Sequence, residues 1–230
     1  MQGRHSARTA VYAALAGNVA VAVTKLAAAV ITGSAAMFSE AVHSVVDCGN
    51  ETLILYGYHR AVRKPDVIHP FGFGRELYFW SFIVALLLFA LGAGVSVYQG
   101  IRHVLAPQPV EYARISYIVL ILSFMFESAS WVVGWRAFAK ARGSLNFWKA
   151  FRQSKDPPAF MVLFEDSAAL MGIAIAMIGI ATAKKLQMPV LDGVASILIG
   201  IVLAITAILL AAESKSLLIG ERATPALVEA

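Results

Sequence analysis

Charge is the scarcest commodity in this sequence. Asp, Glu, Lys and Arg make up 14% of its 230 residues, against 59% that are hydrophobic. A typical soluble domain is about 25% charged and about 45–50% apolar. A chain this apolar, folded in water, would expose large sticky patches. The shortage excludes an ordinary soluble domain, a disordered chain and a nucleic-acid module. Cysteine is almost absent: Cys48 stands alone, so no internal disulfide framework exists. The stretch Met1–Ala10 is polar and basic, without a short apolar core before a cleavage site, so no signal peptide is expected. No strong repeat, low-complexity tract or second domain is visible. The net charge of +5 reports membrane topology rather than nucleic-acid binding.

What the sequence does have is long apolar segments. A membrane-spanning helix needs about 20 mainly apolar residues. Six segments qualify: Thr9–Thr32, Ala35–Tyr58, Leu77–Ile101, Ala113–Phe138, Pro158–Ala183 and Pro189–Ala212. The expected fold is all-α, a polytopic membrane protein with six transmembrane helices. The second segment is the least clean, because Glu40, His43, Asp47 and Glu51 interrupt it. Fourteen of the 19 Lys and Arg residues fall on the side that holds both ends of the chain, and four on the other. That asymmetry predicts both termini in the cytoplasm. The longest link, Ala139–Pro157, is basic with Phe147, Trp148 and Phe151 interleaved, a composition that suits the lipid interface.

A charged side chain in hydrocarbon costs about 2.5–3.5 kcal/mol on insertion scales, so those kept inside the spans need a reason. In the second segment His43 and Asp47 are four apart and share a helix face, and Asn50 continues it one turn later. An imidazole and a carboxylate on one stripe suit a divalent metal of the zinc type. The same pair also serves as a buried polar contact that fixes helix packing. A metal site needs three or four ligands, so a second helix must contribute. The fifth segment offers Glu165 and Asp166. Glu165 heads a stripe of small residues, Ala169, Gly172, Ala176, Gly179 and Ala183, which favours it as the inward carboxylate. Lys25 and Glu127 are expected to pair between helices one and four, the alternative being that Glu127 relays protons. Asp192 is expected to favour the dipole of the helix it begins. Asn18 reads as interhelical glue, and His103, after helix three, as solvated or interfacial. Asp66 and His69 form a second, weaker candidate pair in a turn-rich loop.

These residues resemble a known pattern. Asn18, Lys25, Thr32-Gly33-Ser34, the run Ser39 to Asp47 and Asn50 are similar to the first two helices of cation diffusion facilitators, the zinc-transporter family. His69-Pro70-Phe71-Gly72-Phe73-Gly74-Arg75-Glu76 resembles that family's approach to helix three. Asp192-Gly193 and Glu213 to Glu221 resemble its sixth helix and exit. The resemblance implies a transporter, not an enzyme. It would export divalent cations in exchange for protons by alternating access, as a homodimer in a lipid bilayer. Zinc is the expected cargo, with iron, manganese or cobalt tolerated by an oxygen-rich site. No other cofactor and no nucleic-acid partner is implied, and a bacterial inner membrane is the expected location. The implied ligands are His43, Asp47, Asp166 and Glu165, with Asn50, Asp66 and His69 as lesser candidates. Helix five departs from the family's His-x-x-x-Asp pattern. Asp166 matches its Asp, Val162 stands in place of its His, and Glu165 is the substitute. The helix-face argument prefers Glu165 and the alignment prefers Asp166, so both stay open. Phe73 replaces a histidine found in some members, which weakens the loop site. Residues 1–222 form the transmembrane domain and 223–230 a short tail, so the family's cytoplasmic metal-sensing domain is expected to be absent. Two other functions fit the same residues: a non-transporting metal-binding partner, and a proton-coupled transporter of another solute.

Overall fold

The computed structural model describes residues 2–142 and 157–220, with side chains at the outer ends of some helices left aside. Phe147, Trp148, Phe151 and the tail 223–230 lie outside the described residues. Six long helices follow in order: α1 (Gln2–Thr32), α2 (Ala35–Ala61), α3 (Glu76–Leu105), α4 (Ala113–Arg142), α5 (Pro157–Leu186) and α6 (Val190–Ile219). No strand occurs among the described residues. Helix α3 is α-helical over Glu76–Leu87 and Gly94–Leu105, with a wider π-helical stretch at Leu88–Ala93. Five of the six are long and apolar enough to cross a membrane, and α2 is too polar to meet that measure.

Several helices outrun their apolar segments. Helix α1 starts within the polar stretch expected to be a tail, and α6 runs seven residues beyond Ala212. Helix α4 likewise takes in Ala139–Arg142, the start of the expected long link. Hydropathy marks hydrocarbon, whereas a helix stops only where its backbone is capped. Two ends show such stops. Gly33 takes φ 65°, the left-handed conformation that glycine adopts without strain, and its N–H bonds Ala29 O at 3.0 Å. Ser34 then caps α2 by accepting the N–H of Met37 at 3.1 Å.

Helix α2 packs against α1, α3, α5 and α6, so its polar face is enclosed by protein rather than lipid. Small residues bring the helices close. Gly100 on α3 and Gly193 on α6 pack backbone to backbone: a Cβ on Gly100 would stand 2.8 Å from Gly193 O. Large exposed apolar side chains, among them Val30 on α1, Leu122 on α4 and Ile208 on α6, cover the outer faces. That is the arrangement expected of a bundle whose solvent is hydrocarbon.

Candidate metal centre

Helix α2 carries Glu40, Ser44, Asp47 and Glu51 at spacings of four, three and four. That spacing aligns them on one helix face. The last three line a cavity of about 50 Å³ among α1, α2, α4 and α5. Its other walls are Asn18 and Val21, Glu127 and Ser130, and Val162, Glu165 and Asp166, with Ile54 completing α2's share. The volume suits an ion with a small number of waters, since one water takes about 10–15 Å³ of such space. Five carboxylates line this space, and no cationic side chain does.

The acids are held by neighbours on other helices. Asn50 Nδ2 on α2 donates to Glu165 Oε1 at 2.9 Å, and Ser130 Oγ on α4 donates to Asp166 Oδ2 at 2.8 Å. Asn18 donates to Glu51 across α1 and α2, the interhelical role expected of it. Glu165 and Asp166 therefore turn to different partners yet border the same cavity. Val162, in the place of the family's histidine, is also a wall residue. His43 is fully buried and does not line the cavity. Its Nδ1 stands 3.4 Å from Asp47 Oδ1. Neither ring nitrogen of His43 has a hydrogen-bond partner, and Asp47 Oδ1 and Ser44 Oγ have none. Buried polar atoms without partners are rare and call for an explanation. Asn50 lies outside the wall and acts on it through Glu165. Among the described residues no three His, Cys, Asp or Glu side chains already stand close enough together to hold a metal ion. The carboxylates border the space without converging on one point.

Asp66 and His69 lie in the exposed loop between α2 and α3. Asp66 Oδ1 accepts the backbone N–H groups of Ile68 and His69 at 3.0 and 2.6 Å, and stands 3.0 Å from His69 Nδ1. The His69 backbone N–H foremost, and then its ring, hold the Asp66 carboxyl below the usual carboxylate range. This is a turn closed by its own side chain. The His69 and Phe73 rings lie 4.4 Å apart, so a phenyl ring occupies the space beside the imidazole.

Three readings of single residues change. Lys25 reaches Glu127 at 3.9 Å as expected, but its nearer partner is Glu40 at 3.1 Å. Asp192 begins α6 yet serves α2: it accepts Ser34 Oγ at 2.7 Å and the N–H of Ala35 at 2.5 Å. A single sequence shows which helix a residue belongs to, not which neighbouring helix end it faces. His103 is buried rather than solvated, its Nε2 3.7 Å from Asp192. The cavity also includes Glu51 and Ser130, which went unassigned. The four-three-four spacing along α2 was the available signal for Glu51; Ser130 offered none.

The cavity and the Ser34–Asp192 contact occupy opposite halves of the bundle. The cavity uses the middle and C-terminal part of α2 and the first turns of α5, towards the end that bears the 62–75 loop. At the other end Ser34, Ala35, His103 and Asp192 meet, and between the two the Ser39 and Ser196 hydroxyls bond at 2.7 Å.

A family model described as "Cation efflux transmembrane domain" matches residues 11–219. The human protein named "Proton-coupled zinc antiporter SLC30A9, mitochondrial" is 35% identical over 208 residues, 89% of this chain and 36% of that protein. "Metal tolerance protein C4" of Arabidopsis thaliana is 32% identical over 219 residues, 94% of this chain and 48% of the relative. "Magnetosome protein MamB" of a Magnetospira strain is 29% identical over 183 residues, 76% of this chain and 55% of that one. The chain thus spans between about a third and a half of the length of these first two relatives.

Proposed function

This chain belongs to the cation efflux family, and from that premise we propose that it carries divalent metal cations, zinc first, across a membrane in exchange for protons. The observation that carries the reading is the cavity with five carboxylates and no cationic wall residue, enclosed by helices made for hydrocarbon. Such a concentration of acid inside a membrane is expensive unless a cation visits it. A relative named as a proton-coupled zinc antiporter supports both the ion and the counter-ion.

Asp47, Glu165 and Asp166 are the proposed direct ligands, with His43 supplying an imidazole by a rotation towards Asp47's side of the cavity. Anionic oxygens offset the ion's lost hydration. Asn50 and Ser130 hold the α5 acids in place. Metal and protons compete for the same lone pairs, so protonation from the far side releases the ion. Rocking of helices about this fixed site alternates its access. The oxygen-rich wall also accommodates iron, manganese or cobalt. We place both termini in the cytoplasm of a bacterium, on the distribution of basic residues, and take a homodimer as the working unit.

The test is zinc uptake by the purified chain in liposomes under an imposed pH gradient. Asp47→Ala is expected to cut the rate by at least about tenfold, as loss of a ligand or its support commonly costs about 10–100-fold. Uptake at the wild-type rate by that variant would refute the site. Proton flux without any metal uptake or binding would favour a carrier of another solute.

A further inference from the structure

The cation nearest the acidic cavity belongs to the protein itself. Lys25 on α1 is fully buried, with Nζ 3.1 Å from Glu40 Oε2 and 3.9 Å from Glu127 Oε1. Glu127 has two allegiances, because it also lines the cavity with Asp47, Glu165 and Asp166. Glu40 is fully buried and stands outside the cavity wall, one turn from Ser44 towards the start of α2. Its second oxygen, Oε1, has no hydrogen-bond partner and rests against Gly172 of α5, where a Cβ would overlap it.

Stability gives little reason for this arrangement. A buried ion pair barely repays its desolvation and is often replaceable by apolar side chains. A lysine, however, is a compact positive charge on a flexible four-carbon stem. Placed 3.9 Å behind one wall acid of an acidic cavity, it is a monovalent cation on a leash. A divalent ion that enters meets this charge and competes with it for Glu127. A carrier needs such competition, because a site must bind firmly enough to load and weakly enough to empty.

We propose that Lys25 is a tethered competing cation: its ammonium holds Glu127 while the cavity is empty, cedes it to an arriving divalent ion, and reclaims it as the ion leaves. Glu40 keeps the ammonium anchored throughout, and Gly172 leaves room for Glu40 to do so. Lys25 is a positioning residue in this scheme and touches no cargo. The inference rests on the transport reading above.

Zinc affinity of the purified full chain in nanodiscs, with zinc flux in liposomes, tests it. Lys25→Met is expected to tighten zinc binding at least about tenfold and to lower KM and kcat together, since release then limits turnover. Lys25→Arg keeps the charge and is expected to match the wild type. Adding Glu127→Gln to Lys25→Met is expected to return the affinity to within about threefold of the wild type. A Lys25→Met chain that loses thermal stability but binds zinc as the wild type does overturns the proposal. So does a gain in affinity that survives Glu127→Gln. Should Lys25→Met fail to fold, Lys25→Met with Glu40→Gln removes the buried charge imbalance and carries the same expectations. Should that also fail, Lys25→Gln, which keeps a polar head beside Glu40 and removes only the charge, carries the same expectations, and a zinc affinity unchanged there overturns the idea. A wild-type chain that binds no zinc defeats the transport reading, and this inference with it. A wild type that binds zinc beside an indifferent Lys25→Met defeats the inference alone.

Discussion

At the scale of single residues, the two adjacent acids of α5 do not compete for one role. Neighbouring residues on a helix point about 100° apart. Glu165 is steadied from α2 by Asn50 and Asp166 from α4 by Ser130, so the cavity between those helices receives one carboxylate from each direction. A hydrogen bond to a charged group is worth about 1.5–3 kcal/mol, and most of that is lost when the donor is truncated. Asn50→Ala is therefore expected to weaken zinc binding by about tenfold, with the fold retained. Calorimetry on the purified variant measures this, and Glu165→Gln combined with Asn50→Ala should add little further loss. If the two losses multiply instead, Asn50 acts on the ion by a route other than Glu165.

At the scale of helices, the decisive contacts are those between an end of one and the flank of another. The N-terminus of α2 offers unpaired N–H groups that hydrocarbon cannot satisfy. Ser34 takes the N–H of Met37, and Asp192, from the first turn of α6, takes those of Ala35 and the Ser34 hydroxyl. Asp192→Ala is expected to destabilise the bundle by about 1–2 kcal/mol, in the range of a lost N-cap. Amide hydrogen exchange should rise first at Ala35–Met37, whereas protection lost first within α6 would restore the expectation that Asp192 serves its own helix. This contact shows what the sequence made legible and what it did not. Six helices were legible because hydropathy is a property of each segment. Asp47, Glu165 and Asp166 were legible as candidates, and His43 as a buried imidazole beside them, because acid and imidazole in hydrocarbon are costly wherever they occur. The partners were not. Lys25 choosing Glu40, Asp192 capping α2, and His103 turning inward depend on how separate helices lie against each other. Helical periodicity says which face a residue occupies and nothing of what stands opposite.

At the scale of the whole molecule, the proposed transport cycle divides the contacts into those that it keeps and those that it breaks. The α3–α6 contact is backbone on backbone at Gly100 and Gly193, with Gly200 packed on Val97, and offers no slack for sliding. In the proposed cycle these two helices are expected to travel as a unit. The link from α6 to α2 is different in kind. It consists of hydroxyl and carboxylate bonds, Ser39 to Ser196 and Ser34 to Asp192, which can exchange protein partners for water at modest cost. In the proposed cycle, opening the end at Ser34 and Asp192 parts α2 from α6 there, so a covalent bond across that line should arrest transport. The hydroxyl oxygens of Ser39 and Ser196 are 2.7 Å apart, close to the reach of an S–S bond of about 2.05 Å. The native chain has one cysteine, Cys48. With Cys48→Ala as background, Ser39→Cys with Ser196→Cys is expected to transport zinc when reduced, and at under about a tenth of that rate when oxidised. Reductant added to the same liposomes should restore the flux. Undiminished transport by the oxidised chain, with the cross-link confirmed by mass, would show that α2 and α6 move together and that the bundle opens along some other line.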